Sequence, residues 1–363
     1  MEAEKLSLSD KKCNKIHVGS KWESCQELKV HDKKMHESKS EKYLGGTINS
    51  TGNQRATIQD RKQKGFGIVS QIVAIVKEAP LDKWRMKSGM LLRNSMLVNS
   101  ILFNSEAWHG IVKNDEQVLS RVDESLLQAL FSAHSKTPKE EFFLETGQIP
   151  IKYILASRRL NFLQTILKRS QSEITRKVYN VQKHYPKKGD FALLVEEDKN
   201  LIELELSDIE IENMEKSLFQ TLVKSKVKRA AFAYLQGMQL KHSKTKDINY
   251  HTFKMQDYMS DSSMNSEDIN FLFALRTRTI QGIRKDFKGM FPNVLCPLCQ
   301  LHGDTIPNLM ICQELTSVPQ NGSAHKDCQR TARHQFRALL QARDRVLDWE
   351  EEEEAATPHP KKS

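Results

Sequence analysis

The sequence predicts a mainly α-helical protein with a small β segment at its N-terminus. Three observations carry that expectation. Apolar residues alternate with a period of two only over about the first fifty positions, they recur at helical spacing from Arg55 onward, and helix-start signatures stand at Thr137, Pro150 and Ser207.

The N-terminal part reads as short strands. KIHVG, residues 15–19, alternates around Ile16 and Val18, and QELKVH alternates Leu28 with Val30. Tyr43, Leu44 and Ile48 flank the pair Gly45-Gly46, which permits a tight turn. Such strands need neighbours to bury a face, so residues 1–54 are expected to form at most a small meander. Cys13 and Cys25 read as reduced thiols within it.

The helical part begins with Ile68, Val69, Ile72, Val73, Ile75 and Val76 on one face, ended by Pro80. A second helix carries Leu81, Trp84, Leu91, Leu92, Met96 and Leu102 and breaks near residues 108–110, and a third uses Val118, Val122, Leu126, Leu130 and Phe131. In Thr137-Pro138-Lys139-Glu140 the threonine is the expected N-cap, the proline the first helical residue and the glutamate the return arm of a capping box. Pro150 starts the next helix, through Tyr153, Leu160, Phe162, Leu163 and Ile166 to Lys168-Arg169. These stripes are core-building, and residues 55–185 are taken as one helical domain.

Residues 186–258 read as a helical extension. Pro186 to Gly189 punctuates the chain, and a helix from Ser207, with Glu210 completing a capping box, carries acidic residues in its first turn and KSKVKR, residues 224–229, at its far end. Both placements suit the helix dipole. Residues 259–270, around the serine-rich MSDSSMNSED, read as a flexible linker. A basic segment with Arg276 and Arg278 follows within 271–312, and 313–363 is a divergent, partly disordered tail.

With 56 Lys and Arg against 46 Asp and Glu, and an isoelectric point near 9.1, the chain favours polyanionic partners. Its longest apolar run, GFGIVSQIVAIV, falls well short of the roughly 20 residues that a membrane span requires, so no membrane partner and an intracellular location, nucleus or cytoplasm, are expected. Six cysteines are too sparse for a disulfide scaffold.

Taken in order, LSLSDKKCNKIHVG, EKYLGGTI, LLRNSMLVNSILFNSEAW, TPKEEFFLETGQIPIKYILASRRLNFL, LFALRTRT and CPLC with a downstream cysteine resemble one family. That family is the C-terminal part of the reverse transcriptase polyprotein of non-long-terminal-repeat, LINE-type retrotransposons, and the likeness runs over residues 5–312. It implies a truncated palm end followed by a helical thumb-like array that holds a primer–template duplex by its backbone. Lys12 would be the vestige of a lysine near the incoming nucleotide, where a cation meets developing charge. Tyr43 and Gly45 would belong to the primer-gripping turn. Arg158, Arg159, Lys168 and Arg169 would contact phosphates, and Lys224, Lys226, Lys228, Arg229, Arg276 and Arg278 complete the candidate nucleic-acid-binding set.

The departures from the family are equally informative. Its catalytic metal ions are held by palm carboxylates from blocks preceding those matched here, and Asp10, Asp257 and Asp261 stand in the wrong contexts to replace them. No magnesium site and no polymerase activity are therefore expected. The family's knuckle runs Cys-x2-Cys, histidine, cysteine; here Cys296, Cys299 and Cys312 keep the thiols, but Asn308 stands where the histidine belongs. A neutral amide oxygen is a poor zinc ligand; His302 is a candidate fourth ligand, and His325, Cys328 and His334 are further candidates. Zinc is expected to bind weakly or not at all. The leading expectation is a catalytically inactive retroelement fragment with residual, non-specific RNA or DNA binding. Alternatives are a host-recruited nucleic-acid-binding or adaptor protein, and the C-terminal piece of an active RNA-directed DNA polymerase.

Overall fold

The computed structural model describes residues 14–16, 29–30, 33–43, 46–50, 54–78, 85–108, 110–111, 113–243, 245–246, 248–260, 266–277 and 279. The chain divides into two compact units, Met1–Asn270 and Phe271–Ser363. The predicted thumb-like domain and its helical extension both lie within the first.

The architecture is mainly helical with a small antiparallel hairpin near the N-terminus. That hairpin pairs β5 (Ser40–Tyr43) with β6 (Gly46–Asn49), joining Tyr43 to Gly46 across two residues. Among the described residues, the rest of the predicted meander contributes the pairs β1 (Asn14–Lys15) with β4 (His36–Glu37) and β2 (Lys29–Val30) with β3 (Lys33–Lys34). The hairpin does find a neighbour. Thr47 N–H donates to Thr57 Oγ1 at 3.0 Å, and that hydroxyl donates back to the Thr47 carbonyl at 3.2 Å, which fastens β6 to helix α1 (Arg55–Lys77).

Helix α1 lies against α4 (Lys113–Leu130) and α3 (Asn99–Ile101) through Ile58, Val69, Ile72 and Val76. Ile75, expected on that face, is exposed. Close approach depends on Gly65: a Cβ there would sit 2.7 Å from Val122 Cγ1 and 2.8 Å from Ile101 Cγ2. The second predicted helix is α2 (Arg85–Leu92), continued by a π-helical turn over Arg93–Val98 into α3, and Leu91 on it is exposed. Leu81 and Trp84 lie outside the described residues.

Helix α5 (Lys139–Thr146) starts one residue later than predicted. Pro138 is the N-cap, no side chain caps it, and Glu140 lies 3.1 Å from His242 Nε2 instead of bonding back to Thr137. The Thr137 N–H that a returning glutamate would take donates instead to the His134 carbonyl at 2.9 Å. Helix α6 (Ile151–Leu167) likewise starts one residue later than predicted, with Pro150 as its extended N-cap, and becomes the central element. It packs on α4, α7 (Ile174–His184), α8 (Phe191–Leu201), α9 (Asp208–Asn213) and α10 (Lys216–Gln239), so its apolar residues point in nearly every direction. Among the described residues no helix is long and apolar enough to cross a membrane.

The stretch after Pro186 requires two corrections. The Ser207–Glu210 capping box forms, but α9 ends at Asn213 because Met214 turns extended, with ψ at 141°. A new helix, α10, begins at Lys216, so KSKVKR occupies its middle and not a helix end. Secondly, α11 (Ser266–Arg276) starts inside the predicted linker, with Ile269 and Phe273, four residues apart, both buried, so residues 266–270 are helical. An apolar pair at that spacing supports a helical turn even beside a serine-rich run.

Candidate nucleic-acid interface

Helix α10 carries five cations, Lys216, Lys224, Lys226, Lys228 and Arg229, and no carboxylate in its 24 residues. Its buried ridge runs at four-residue spacing through Phe219, Val223, Val227, Ala231 and Leu235. That ridge fixes which side chains face water. Lys224 and Lys228 project one turn apart, alongside the row Thr221, Ser225 and Arg229, all exposed.

The cations on this helix divide by partner. Lys226 is half-buried and donates to the Glu203 carbonyl at 2.8 Å, and Arg229 meets the Glu203 carboxylate at 3.3 Å in an exposed pair. Glu203 itself takes a left-handed backbone, φ +54°, just beyond the end of α8, which turns its carbonyl toward α10. Lys224 and Lys228 make no ion pair or hydrogen bond among the described residues. Lysines at i and i+4, whose Cβ atoms lie about 6 Å apart on a helix, place like charges that weaken the helix, so the fold itself gains nothing from this pair.

The α6 candidates behave differently. Arg159 is buried and forks onto Asp198, Nε to Oδ2 at 2.6 Å and Nη2 to Oδ1 at 2.8 Å, with Glu116 at 3.8 Å. It is a structural counter-ion, not a phosphate contact, because buried charges must be paired. Burial pushes the Asp198 carboxyl up, against the pull of this guanidinium. Arg158 is half-buried and donates to the Leu102 carbonyl and to Asn99 Oδ1 at 3.0 Å, closing the end of α3; burial pulls its guanidinium down. Lys168 and Arg169 are exposed, the first donating to the Met214 carbonyl at 2.8 Å and the second paired with Glu173 at 3.2 Å.

Two further candidates are carried by other elements. Tyr43 ends β5, and Arg276 lies in the last turn of α11. Lys12, Gly45, Arg278, Cys296, Cys299, His302 and Cys312 lie outside the described residues. Among the described residues, no group of three or more His, Cys, Asp or Glu is placed to hold a metal ion.

Sequence reasoning missed Thr221 and Ser225, hydroxyls that stand among the α10 cations; the absence of any carboxylate from residue 216 to 239 was the available signal. It also missed Lys152. Helices α6 and α10 run antiparallel, with Tyr153 near Tyr234 and Gln164 Nε2 on the Met214 carbonyl at 3.1 Å. That brings Lys152 Nζ to 3.2 Å from the Tyr234 ring centroid, and burial pushes its ammonium down to about 8. Compared with protein-family models, with curated proteins and with solved structures, the chain finds no match in any of the three.

Proposed function

We propose that this protein binds the backbone of RNA or DNA without sequence preference, does not catalyse polymerisation, and makes its principal contact through the solvent face of α10. The observation that carries the reading is the pair Lys224 and Lys228, unpaired among the described residues on a helix without carboxylates. The basic balance of the chain and its sequence resemblance to the C-terminal part of LINE-type reverse transcriptases support the same class of partner. Such a partner would place the protein inside the cell. The Ser225 hydroxyl, beside Lys224, can donate to a phosphate oxygen, which fixes position without reading bases, whereas the Thr221 hydroxyl already donates to the Ser217 carbonyl at 2.9 Å.

The test is binding of a labelled primer–template duplex and of single-stranded RNA to the full chain over a salt series. Affinity is expected to fall steeply with salt. The K224E/K228E variant is expected to make the slope for duplex DNA shallower by about 1.8, roughly 0.9 for each lost phosphate contact. Failure to bind at low salt, or an unchanged slope in the variant, would overturn the reading. No primer extension on an RNA template with Mg²⁺ is expected; extension that follows the protein through repurification would refute that part.

A further inference from the structure

Helix α7 turns its most apolar stripe to water. Ile174, Val178, Val181 and the capping residue Tyr185 are 76%, 50%, 60% and 75% exposed, and their spacing of four, three and four residues sets them along one line. The opposite face, which holds α7 to the protein, is anchored by polar bonds. Tyr179 donates to Asp208 Oδ2 at 2.9 Å, Lys183 meets the same carboxylate at 2.5 Å, and the buried Arg176 pairs with Glu212 at 3.0 Å. None of these bonds involves the four outward residues. An apolar line that the local fold leaves unburied suits a surface that another molecule covers.

The geometry narrows what that molecule is. A four-three-four spacing is the seam of two helices packed side by side, where each side chain enters a hole on the facing helix. A line this narrow offers little to a flat surface. Lys177 and His184, seven residues apart, edge one side of the line, and the neutral Thr175 and Gln182, also seven apart, edge the other. Helix α7 contains no carboxylate, and the exposed Lys187 and Lys188 follow directly after it. A second copy of this chain complements that charge poorly. Antiparallel α7 helices would set Lys177 and His184 against their equals, and parallel ones would set them against the neutral edge.

We propose that the solvent face of α7 docks an acidic amphipathic helix of another protein, its apolar seam on Ile174, Val178, Val181 and Tyr185 and its carboxylates beside Lys177 and His184. The surface is distinct from the α10 face, and the proposal stands or falls separately from the nucleic-acid reading.

The experiment titrates the full chain into a labelled peptide of three heptads with leucine seam positions and glutamate flanks, whose like charges keep it from pairing with itself. A lysine-flanked version, a scrambled version and vesicles of phosphatidylserine with phosphatidylcholine are run beside it, and the oligomeric state is measured by sedimentation. The glutamate peptide is expected to bind at least about tenfold tighter than the lysine peptide. V178D/V181D is expected to weaken it about tenfold or more while leaving circular dichroism and the salt-dependent RNA binding unchanged, and K177E is expected to narrow the preference between the two peptides. Equal binding of both peptides, indifference to V178D/V181D, vesicle binding without peptide binding, or a dimer that V178D/V181D dissolves would each overturn the proposal.

Discussion

Arg93 and Asp123 face each other as a two-pronged pair, Nε to Oδ1 and Nη2 to Oδ2 both at 2.6 Å, with both side chains out of water. The remaining guanidinium donors reach the Ile149 carbonyl at 3.0 Å and the side-chain oxygens of Gln148 and Asn94 at 2.9 Å. One arginine at the start of the π-helical turn thereby ties α4 to the chain between α5 and α6. The pair is expected to be strongly destabilising to break. D123N leaves a buried guanidinium without its counter-charge, and a loss of about 3 to 5 kcal/mol is expected in urea denaturation. A loss below about 1 kcal/mol would show that the pair does not hold these elements together.

A second prediction concerns Gly147, which ends α5 in the left-handed region at φ +64°. A Cβ there would lie 2.6 Å from the backbone of Lys254, where the chain returns alongside α5 and Gln256 N–H donates to the Glu145 carbonyl at 2.9 Å. Backbone, unlike a side-chain tip, cannot swing aside. G147A is therefore expected to lower stability by about 1 to 3 kcal/mol and to speed hydrogen exchange around residues 253–258. Unchanged exchange there would contradict the close approach.

The third prediction is a pH dependence. Glu141 and Glu145 on α5 are both buried, and the single hydroxyl of Tyr250 lies 2.8 Å from Glu141 Oε2 and 2.5 Å from Glu145 Oε1; Tyr258 also donates to Glu145, and Glu140 with His242 lies one turn away. Burial, reinforced by Glu145 and Glu140, lifts the Glu141 carboxyl from 4.5 to about 7. Between those values the unfolded chain has released a proton that the folded chain keeps. Stability should therefore be greatest below about pH 4.5 for this group, fall as pH rises, and level off above about 7, by on the order of 3 kcal/mol at most. E141Q is expected to remove most of that slope when denaturation at about pH 5 and pH 8 is compared with the native protein. Equal slopes in both proteins would refute it.

Zinc supplies the fourth. With asparagine at position 308, purified protein is expected to carry far less than one zinc per chain, and C296S to leave the metal content unchanged. About one tightly held zinc, lost on C296S, would show that His302 or another ligand completes the site.

What the sequence determined by itself is local. The stripe Val118, Val122, Leu126 and Leu130 is buried as its spacing requires, and the Ser207–Glu210 capping box closes with Glu210 Oε2 accepting from Ser207 N–H at 2.8 Å, because both partners lie within one turn. Pro150 likewise opens α6 by fixing its own backbone. What only the tertiary structure decided is the choice of partner across distance. Arg158 and Arg159 are neighbours of identical chemistry, yet one closes the end of α3 and the other is buried on Asp198, 39 residues away. KSKVKR became a mid-helix face once Met214 turned extended, and α7 sent its apolar line outward because its polar face found Asp208 and Glu212. Periodicity fixes which residues share a side of a helix; which side is buried depends on long-range contacts whose energies no local pattern contains.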